Sequence, residues 1–128
     1  MKVFILPFGK INIIHNTIAE VIINEGVVMD LDMVNQYHDF LLQNLKSPFS
    51  LLVNKENSYS YKFDAQLKIA NLSEIKSMAV VIYNLSADMA TQILIDINKG
   101  NDWNIKLFNE RQMALDWLLF DDNKKNAV

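Results

Sequence analysis

The sequence contains no cysteine and has few glycines and prolines. Without a thiol, the chain has no disulfide framework, no thiolate metal ligand and no cysteine nucleophile, and nothing calls for an oxidising compartment. Three glycines and two prolines among 128 residues are not the composition of a fibrous or low-complexity chain. We therefore expect a globular protein of the reducing cytoplasm.

Arginine is nearly absent as well, because Arg111 is the only one, and the net charge is −3. Phosphate and base recognition depend heavily on arginine, and an acidic protein repels a polyanion, so nucleic-acid binding is not expected. No segment approaches the roughly 20 consecutive apolar residues that span a bilayer, so membrane insertion is not expected either. The apolar run at residues 2–8 is broken by Pro7, lacks a signal-peptide cleavage site and is interpreted as a strand.

What the chain does have is apolar residues, which make up 51% of it, against 21% charged residues. A chain of 128 residues with this composition is long enough for one real core and too short for two independent ones. We predict a single domain at residues 1–120 and a polar C-terminal tail at residues 121–128.

The first half of the chain begins with three apolar runs, at residues 2–8, 11–14 and 18–23, which predict a meander of three strands. Asp30 is a good N-cap for the helix that follows a short extended piece. The apolar face of that helix recurs at spacings of three and four: Leu31, Val34, Tyr37, His38, Leu41, Leu42 and Leu45. The dipeptide Ser47-Pro48 should end it.

The second half alternates strands and helices. Residues 49–53 and 105–108 predict strands, and residues 78–83 predict a strand that is covered on both faces and central in the sheet. The segment 54–60 reads as a polar loop. A second helix is indicated by three spaced apolar residues, Phe63, Leu67 and Ala70.

The last two helices carry clear boundary signals. Ser86 is the predicted cap of the first, Lys99-Gly100 closes it, and its stripe of Met89, Ile93 and Ile97 is predicted to be core, with the lining of a lipid pocket as the alternative. In the final helix, Asn109 with Gln112 forms a capping-box pattern and Phe108 with Met113 a hydrophobic staple. That helix is predicted to bury four residues, Met113, Ala114, Trp117 and Leu118.

The alternation of strands and helices after a meander implies parallel crossovers. The predicted fold class is α/β, with a mixed, mostly parallel sheet of about four to six strands and about four helices packed mainly on one face.

Four segments of the C-terminal half resemble one known family: Met78-Ala79-Val80-Val81-Ile82-Tyr83-Asn84-Leu85-Ser86, Ile95-Asp96-Ile97-Asn98-Lys99, Lys106-Leu107-Phe108-Asn109-Glu110 and Ala114-Leu115-Asp116-Trp117-Leu118. They are similar to the STAS, or SpoIIAA-like, small bacterial proteins, and residues 25–32 resemble the entry to that family's first helix. The resemblance implies the same mixed sheet and a role in protein interaction or ligand sensing instead of catalysis.

The resemblance also implies two candidate regulatory phosphosites, Ser58 and Ser60. Anti-anti-sigma members of the family are switched by phosphorylation of a serine in an Asp-Ser-Ser/Ala-Gly type motif, and residues 54–60 correspond to that region. This sequence departs from the motif, since no aspartate precedes Ser58 and no glycine follows it. An ordinary solvated loop with a serine cap is the alternative.

No catalytic, cofactor or metal site is predicted. The two histidines, His15 and His38, stand at no ligand spacing, and a structural or surface role is expected for both. The carboxylate pairs Asp30 with Asp32 and Asp121 with Asp122 are expected to serve capping and solubility. No Gly-x-Ser-x-Gly or phosphate-cradling loop occurs, so the chain is not expected to be an enzyme.

The function predicted on these grounds is a regulatory or protein-interaction module. A binder of a small apolar, lipid-like ligand is the alternative. The partner is either another protein or a second copy of the chain, since the N-terminal strands would leave an open sheet edge on which a homodimer could form.

Overall fold

The computed structural model describes residues 2–100 and 104–126, with side chains described as far as residue 120. The elements in chain order are β1 (Lys2–Leu6), β2 (Gly9–His15), β3 (Ile18–Ile23), β4 (Val28–Met29), α1 (Leu31–Asn44), β5 (Phe49–Asn54), β6 (Ser60–Tyr61), α2 (Phe63–Ile69), β7 (Ile75–Val81), α3 (Leu85–Ile97), β8 (Ile105–Phe108) and α4 (Arg111–Asn126).

The main sheet has six strands in the order β1-β2-β3-β5-β7-β8. The meander β1-β2-β3 is antiparallel, and β3, β5, β7 and β8 run parallel. The predicted α/β class with a mixed, mostly parallel sheet is confirmed. The strand predicted to be central, β7, is interior but lies next to the edge strand β8, because β8 adds to its outer side; β3 and β5 occupy the middle.

Gly9 is required where β2 begins. A Cβ atom at this position would lie 2.9 Å from the Cα of Ile23 and would also clash with the carbonyl oxygen of Ile22. The close approach of β3 to β2 therefore leaves no room for a side chain here.

Each face of the sheet has its own core. The larger one lies under α1, α2 and α3, which contribute Val34, Leu41, Ala65, Ile69 and Leu94, and it includes Val21, Leu51 and Val80 of the sheet. The opposite face carries α4, whose Ala114 and Leu118 pack on Ile18, Leu52, Ala79 and Val81. Three helices thus share one face, as predicted, and the fourth lies on the other.

Helix α1 follows its prediction closely. The Asp30 carboxylate accepts the backbone N–H of Met33 at 2.9 Å, and the helix ends at Asn44, before the cis Ser47-Pro48 peptide. Leu42, predicted on the apolar face, is exposed. In the described part of the chain, every helix is too short or too polar to cross a lipid bilayer.

The N-cap of helix α3 lies two residues before the predicted cap, Ser86. Asn84 is the N-cap, and its side-chain oxygen accepts the N–H of Ala87 at 2.8 Å, which places Ser86 inside the first turn. The helix ends at Ile97, so Lys99 and Gly100 lie beyond it and not in its last turn.

Helix α4 differs from its prediction in three ways. Met113 is exposed and Trp117 only half-buried, although Ala114 and Leu118 are buried as expected. The helix begins at Arg111, and the N–H of Ala114 donates to the carbonyl of Glu110 at 3.2 Å, so Asn109 lies one residue before the cap position; the Gln112 amide donates to Asp116 at 2.9 Å. The helix also continues to Asn126, so the tail predicted at residues 121–128, with Asp121 and Asp122, begins inside it; residues 127 and 128 lie outside the described residues.

Candidate functional site

The carboxyl ends of β3, β5 and β7 meet at one edge of the sheet, because these neighbouring strands are parallel. Open α/β sheets bind ligands in the crevice at this edge. A cleft of about 220 Å³ lies here between the segment after β5 and the start of α3. Its lining residues are Lys55, Asn57, Ser58, Tyr59, Asn84, Ser86, Ala87 and Ala90.

An apolar cavity of about 30 Å³ lies next to the cleft, and Lys55 and Tyr59 line both. The small parallel sheet formed by β4 and β6 pairs Met29 with Tyr61, and both residues line the cavity. A cavity needs about 10–15 Å³ to hold one water, so this one has room for about two. It is too small for a lipid chain.

Lys55 is the most unusual residue of this edge, because it is a lysine with only 9% of its surface exposed. Its ammonium nitrogen lies 5.0 Å from the ring centroid of Tyr59 and 5.9 Å from that of Tyr61, within the range of cation–π contacts. Among the described side chains, no carboxylate pairs with it. Burial therefore lowers the pKa of Lys55 to about 8.

The tyrosines around Lys55 stay neutral. Burial raises the pKa of Tyr59 well above its usual value, and it also raises the pKa of Tyr61 and Tyr37. No phenolate therefore supplies a negative charge to the ammonium group. Lys55 is left with aromatic faces in place of a counter-ion.

The two candidate phosphosites occupy different places. Ser58 lines the cleft; its N–H donates to the Glu25 carboxylate at 2.7 Å, and its carbonyl accepts the N–H of Gly26 at 2.7 Å. Ser60 lies in β6, where its N–H donates to the carbonyl oxygen of Val27. It does not line the cleft. The segment predicted as a loop thus ends in a strand. Phosphorylation of either serine stays a prediction.

A buried ionic cluster lies on the α4 face of the sheet. Glu20, in the middle of β3, accepts hydrogen bonds from Asn12 at 3.2 Å and Asn54 at 2.9 Å. Arg111, at the start of α4, donates to both of its carboxylate oxygens at 2.9 Å. Sequence reasoning missed this cluster, although an acid within the apolar run 18–23 and a single arginine were the available signals.

Both histidines make local contacts within the fold. His38 is buried and its Nε2 lies 3.1 Å from the carbonyl oxygen of Ile69, so it links α1 to the end of α2; burial lowers its pKa. The Nδ1 of His15 lies 3.0 Å from the hydroxyl of Thr17 in the turn before β3. Within residues 2–100 and 104–120, no group of three acidic or histidine side chains is placed to hold a metal ion.

The apolar stripe of α3 faces outward, so its predicted place in the core is wrong. Leu85, Met89 and Ile93 are exposed by 72%, 59% and 56%, and Ile97 by 37%. The inward face of α3 instead carries Thr91, Leu94 and Asn98. The second helix shows the same reversal: Phe63 and Leu67 are exposed, whereas Ala65 and Ile69 are buried.

The inward polar residues of α3 explain how this reversal is tolerated. Thr91 donates its hydroxyl proton to the carbonyl of Ala87 at 2.7 Å. Asn98 donates to the carbonyl of Leu94 at 3.0 Å and to that of Gln66, in α2, at 3.1 Å. Buried polar groups that are hydrogen-bonded cost little, so α3 can leave its more apolar face in solvent.

Helix α3 contributes to two surface features. Its first turn lines the cleft at the sheet edge, and its outward face carries the exposed apolar stripe. Comparison of the chain with family profiles, with curated proteins and with solved structures finds no match.

Proposed function

We propose that this protein is a non-enzymatic interaction module, and that it binds a partner protein through the outward face of α3. The observation that carries the proposal is the exposed row Leu85, Met89, Ile93 and Ile97, spaced at intervals of four. We call these four residues the α3 stripe. Scattered single apolar residues are normal on a surface, but an ordered row along one helix marks an interaction site.

The dimensions of the α3 stripe suit a helix. Its four side chains run along a helix of 13 residues, which is about 20 Å long at 1.5 Å per residue. Amphipathic helices recognise such surfaces with apolar residues of the same spacing. A single partner helix of three to four turns would cover the row.

Charge along one edge of the α3 stripe indicates which helix would fit. Asp88, Gln92 and Asp96 form a row of their own at intervals of four, so two carboxylates border the stripe on the same side. A partner helix with lysine or arginine beside its apolar face would complement this edge. We therefore propose an amphipathic helix with a basic flank as the occupant.

A second copy of α3 fits less well. In an antiparallel pair of helices related by a two-fold axis, equivalent edges lie side by side and in reversed direction. Asp88 of each copy would therefore lie near Asp96 of the other. Like charges at such a contact are unfavourable. Self-association through strand β1, which forms an open edge of the sheet, is a separate prediction.

The resemblance to STAS-like proteins supports an interaction role on independent grounds. The small apolar ligand is the weaker candidate, because the apolar cavity of about 30 Å³ holds no lipid chain. The histidines, both engaged in local structural contacts, give no support to a catalytic role.

A photo-activated crosslinker in place of Ile93, introduced in the host organism, tests the proposal. The expected result is one crosslinked protein whose attached peptide, identified by mass spectrometry, has apolar residues at helical spacing beside lysine or arginine. The same crosslinker in place of Ile5, which is 79% exposed on β1, is the control and should not capture that peptide.

Three outcomes would overturn the proposal: crosslinking to the chain itself, crosslinking to lipid, or identical products from positions 93 and 5. The first would favour a homodimer through α3. The second would favour an apolar ligand.

A further inference from the structure

We propose that the cleft between Lys55 and the start of α3 binds the phosphate group of a small molecule. Apart from the backbone N–H of Leu85, this site uses no group of the α3 stripe, and its assignment does not depend on the proposed interaction role. Lys55 and Ser58 belong to the segment after β5, whereas Asn84, Ser86 and Ala87 belong to the first turn of α3. The two segments face each other across about 220 Å³.

The first turn of α3 supplies N–H donors. Asn84 accepts the N–H of Ala87 with its side chain and that of Asp88 with its carbonyl, at 2.8 and 3.2 Å. The N–H groups of Leu85 and Ser86 have no acceptor within the helix, because the helix begins there. With the positive end of the helix dipole, such donors form a ready anion site.

Lys55 is the independent observation that points to an anionic ligand. It lines the cleft, is 9% exposed and has no hydrogen-bond or ion-pair partner for its ammonium group among the described side chains. An ammonium buried without a counter-ion is costly, and the rings of Tyr59 and Tyr61 that it contacts carry no formal negative charge. A bound anion would supply the missing charge.

Neither Glu25 nor Asp88 lines the cleft. The carboxylate of Glu25 accepts the N–H of Ser58 at 2.7 Å, and Asp88 lies in the first turn of α3. The hydroxyl groups of Ser58 and Ser86 add donors on both walls. Cation, helix N–H groups and hydroxyls together match the oxygens of a phosphate.

The ligand is a small one. Pockets for drug-sized molecules measure about 300–1,000 Å³, so this cleft suits a phosphate or a short phosphate ester. Inorganic phosphate is therefore an adequate probe, and a lipid phosphate is the other source of the same chemistry.

A titration followed by amide NMR, with inorganic phosphate against chloride at equal ionic strength, tests the site. We expect saturable shifts of the Lys55, Leu85 and Ser86 amides with phosphate and none with chloride. Binding should weaken at least tenfold in Lys55→Met and stay unchanged in Lys62→Met, which removes an exposed lysine. Lys55→Met should still fold, because the change removes a buried charge and keeps an apolar stem.

Equal affinity in wild type and Lys55→Met, or shifts that chloride reproduces, would overturn the proposal. Flotation with vesicles that contain phosphatidic acid distinguishes the source. Lys55-dependent flotation without saturable binding of free phosphate would overturn the assignment to a small molecule. The crosslink at position 93 concerns other residues, so the two proposals fail separately.

Discussion

Arg111 and Glu20 lie 91 positions apart in the chain and form a two-pronged ion pair, with Nε–Oε2 and Nη2–Oε1 both at 2.9 Å. This ion pair links the first turn of α4 to the middle of β3. The Glu20 side chain is only 4% exposed, whereas that of Arg111 is 40% exposed. The pair therefore holds a buried charge with a partner that water can reach.

Replacing Arg111 by alanine should destabilise the protein, because it leaves the Glu20 carboxylate buried without its cation. Losing one partner of a buried pair costs about 3–5 kcal/mol, and solvent screening at the half-exposed arginine reduces this to about 1–3 kcal/mol. Urea denaturation at pH 7 measures the change. The double variant Glu20→Gln/Arg111→Met should recover part of the loss; a double variant as unstable as the sum of both single changes would contradict this explanation.

The same cluster should make stability depend on acid pH. Burial alone would raise the pKa of Glu20, but hydrogen bonds from Arg111, Asn54 and Asn12 outweigh it and lower the pKa below the usual 4.5. Between the folded value and 4.5 the unfolded chain binds more protons, so this contribution is full above pH 4.5 and is lost as pH falls through the folded pKa. Thermal unfolding of wild type and Glu20→Gln from pH 6 to pH 3 should show their difference shrinking in this window. A constant difference would be evidence against it.

The sequence predicts much of this fold for a physical reason. The run 78–83 is apolar without interruption, and the run 18–23 is apolar except for Glu20; such runs are typical of strands buried on both faces. The N-cap of α1 at Asp30 was also predictable from the sequence, because the cap depends on a single side chain. Hydrophobic periodicity does not determine the order of strands in a sheet, because no pattern within β7 indicates that β8 pairs beside it.

The orientation of α3 was not predictable in the same way. Helical period shows which residues share a face, not which face meets the sheet. The sheet here accepts Thr91, Leu94 and Asn98 because the polar groups of Thr91 and Asn98 are hydrogen-bonded. Lys55 was missed because a lysine in a polar segment gives no sign of burial; only the packing of Tyr59 and Tyr61 around it does.

Lys55→Met should stabilise the protein at pH 7. Burial lowers the pKa of Lys55 from 10.5 to about 8, so below pH 8 the folded state carries a penalty of up to about 3 kcal/mol for the charged form. Between pH 8 and 10.5 the unfolded chain binds more protons, and wild-type stability should rise relative to the variant. Urea denaturation of both proteins from pH 7 to pH 9.5 measures this. A variant less stable than wild type at pH 7 would show that the ammonium is not penalised.

Gly9→Ala should destabilise the protein by about 1–3 kcal/mol, the usual cost of overpacking. The added Cβ would meet the backbone of Ile22 and Ile23, which cannot move without disturbing the β2–β3 pairing. Gly100→Ala is the matched control, because nothing lies within 4 Å of a Cβ there. Thermal unfolding should separate the two variants; equal melting temperatures would show that β3 does not approach β2 this closely.

On the proposed function, α3 keeps its apolar stripe for a partner and not for its own core. The free energy of unfolding of Met89→Gln/Ile93→Gln separates these two roles of the stripe. We expect a value within about 0.5 kcal/mol of wild type, as for surface substitutions, together with loss of the partner captured at position 93. A loss of about 4 kcal/mol or more, as expected for two truncated core residues, would place the stripe inside the protein and contradict the account.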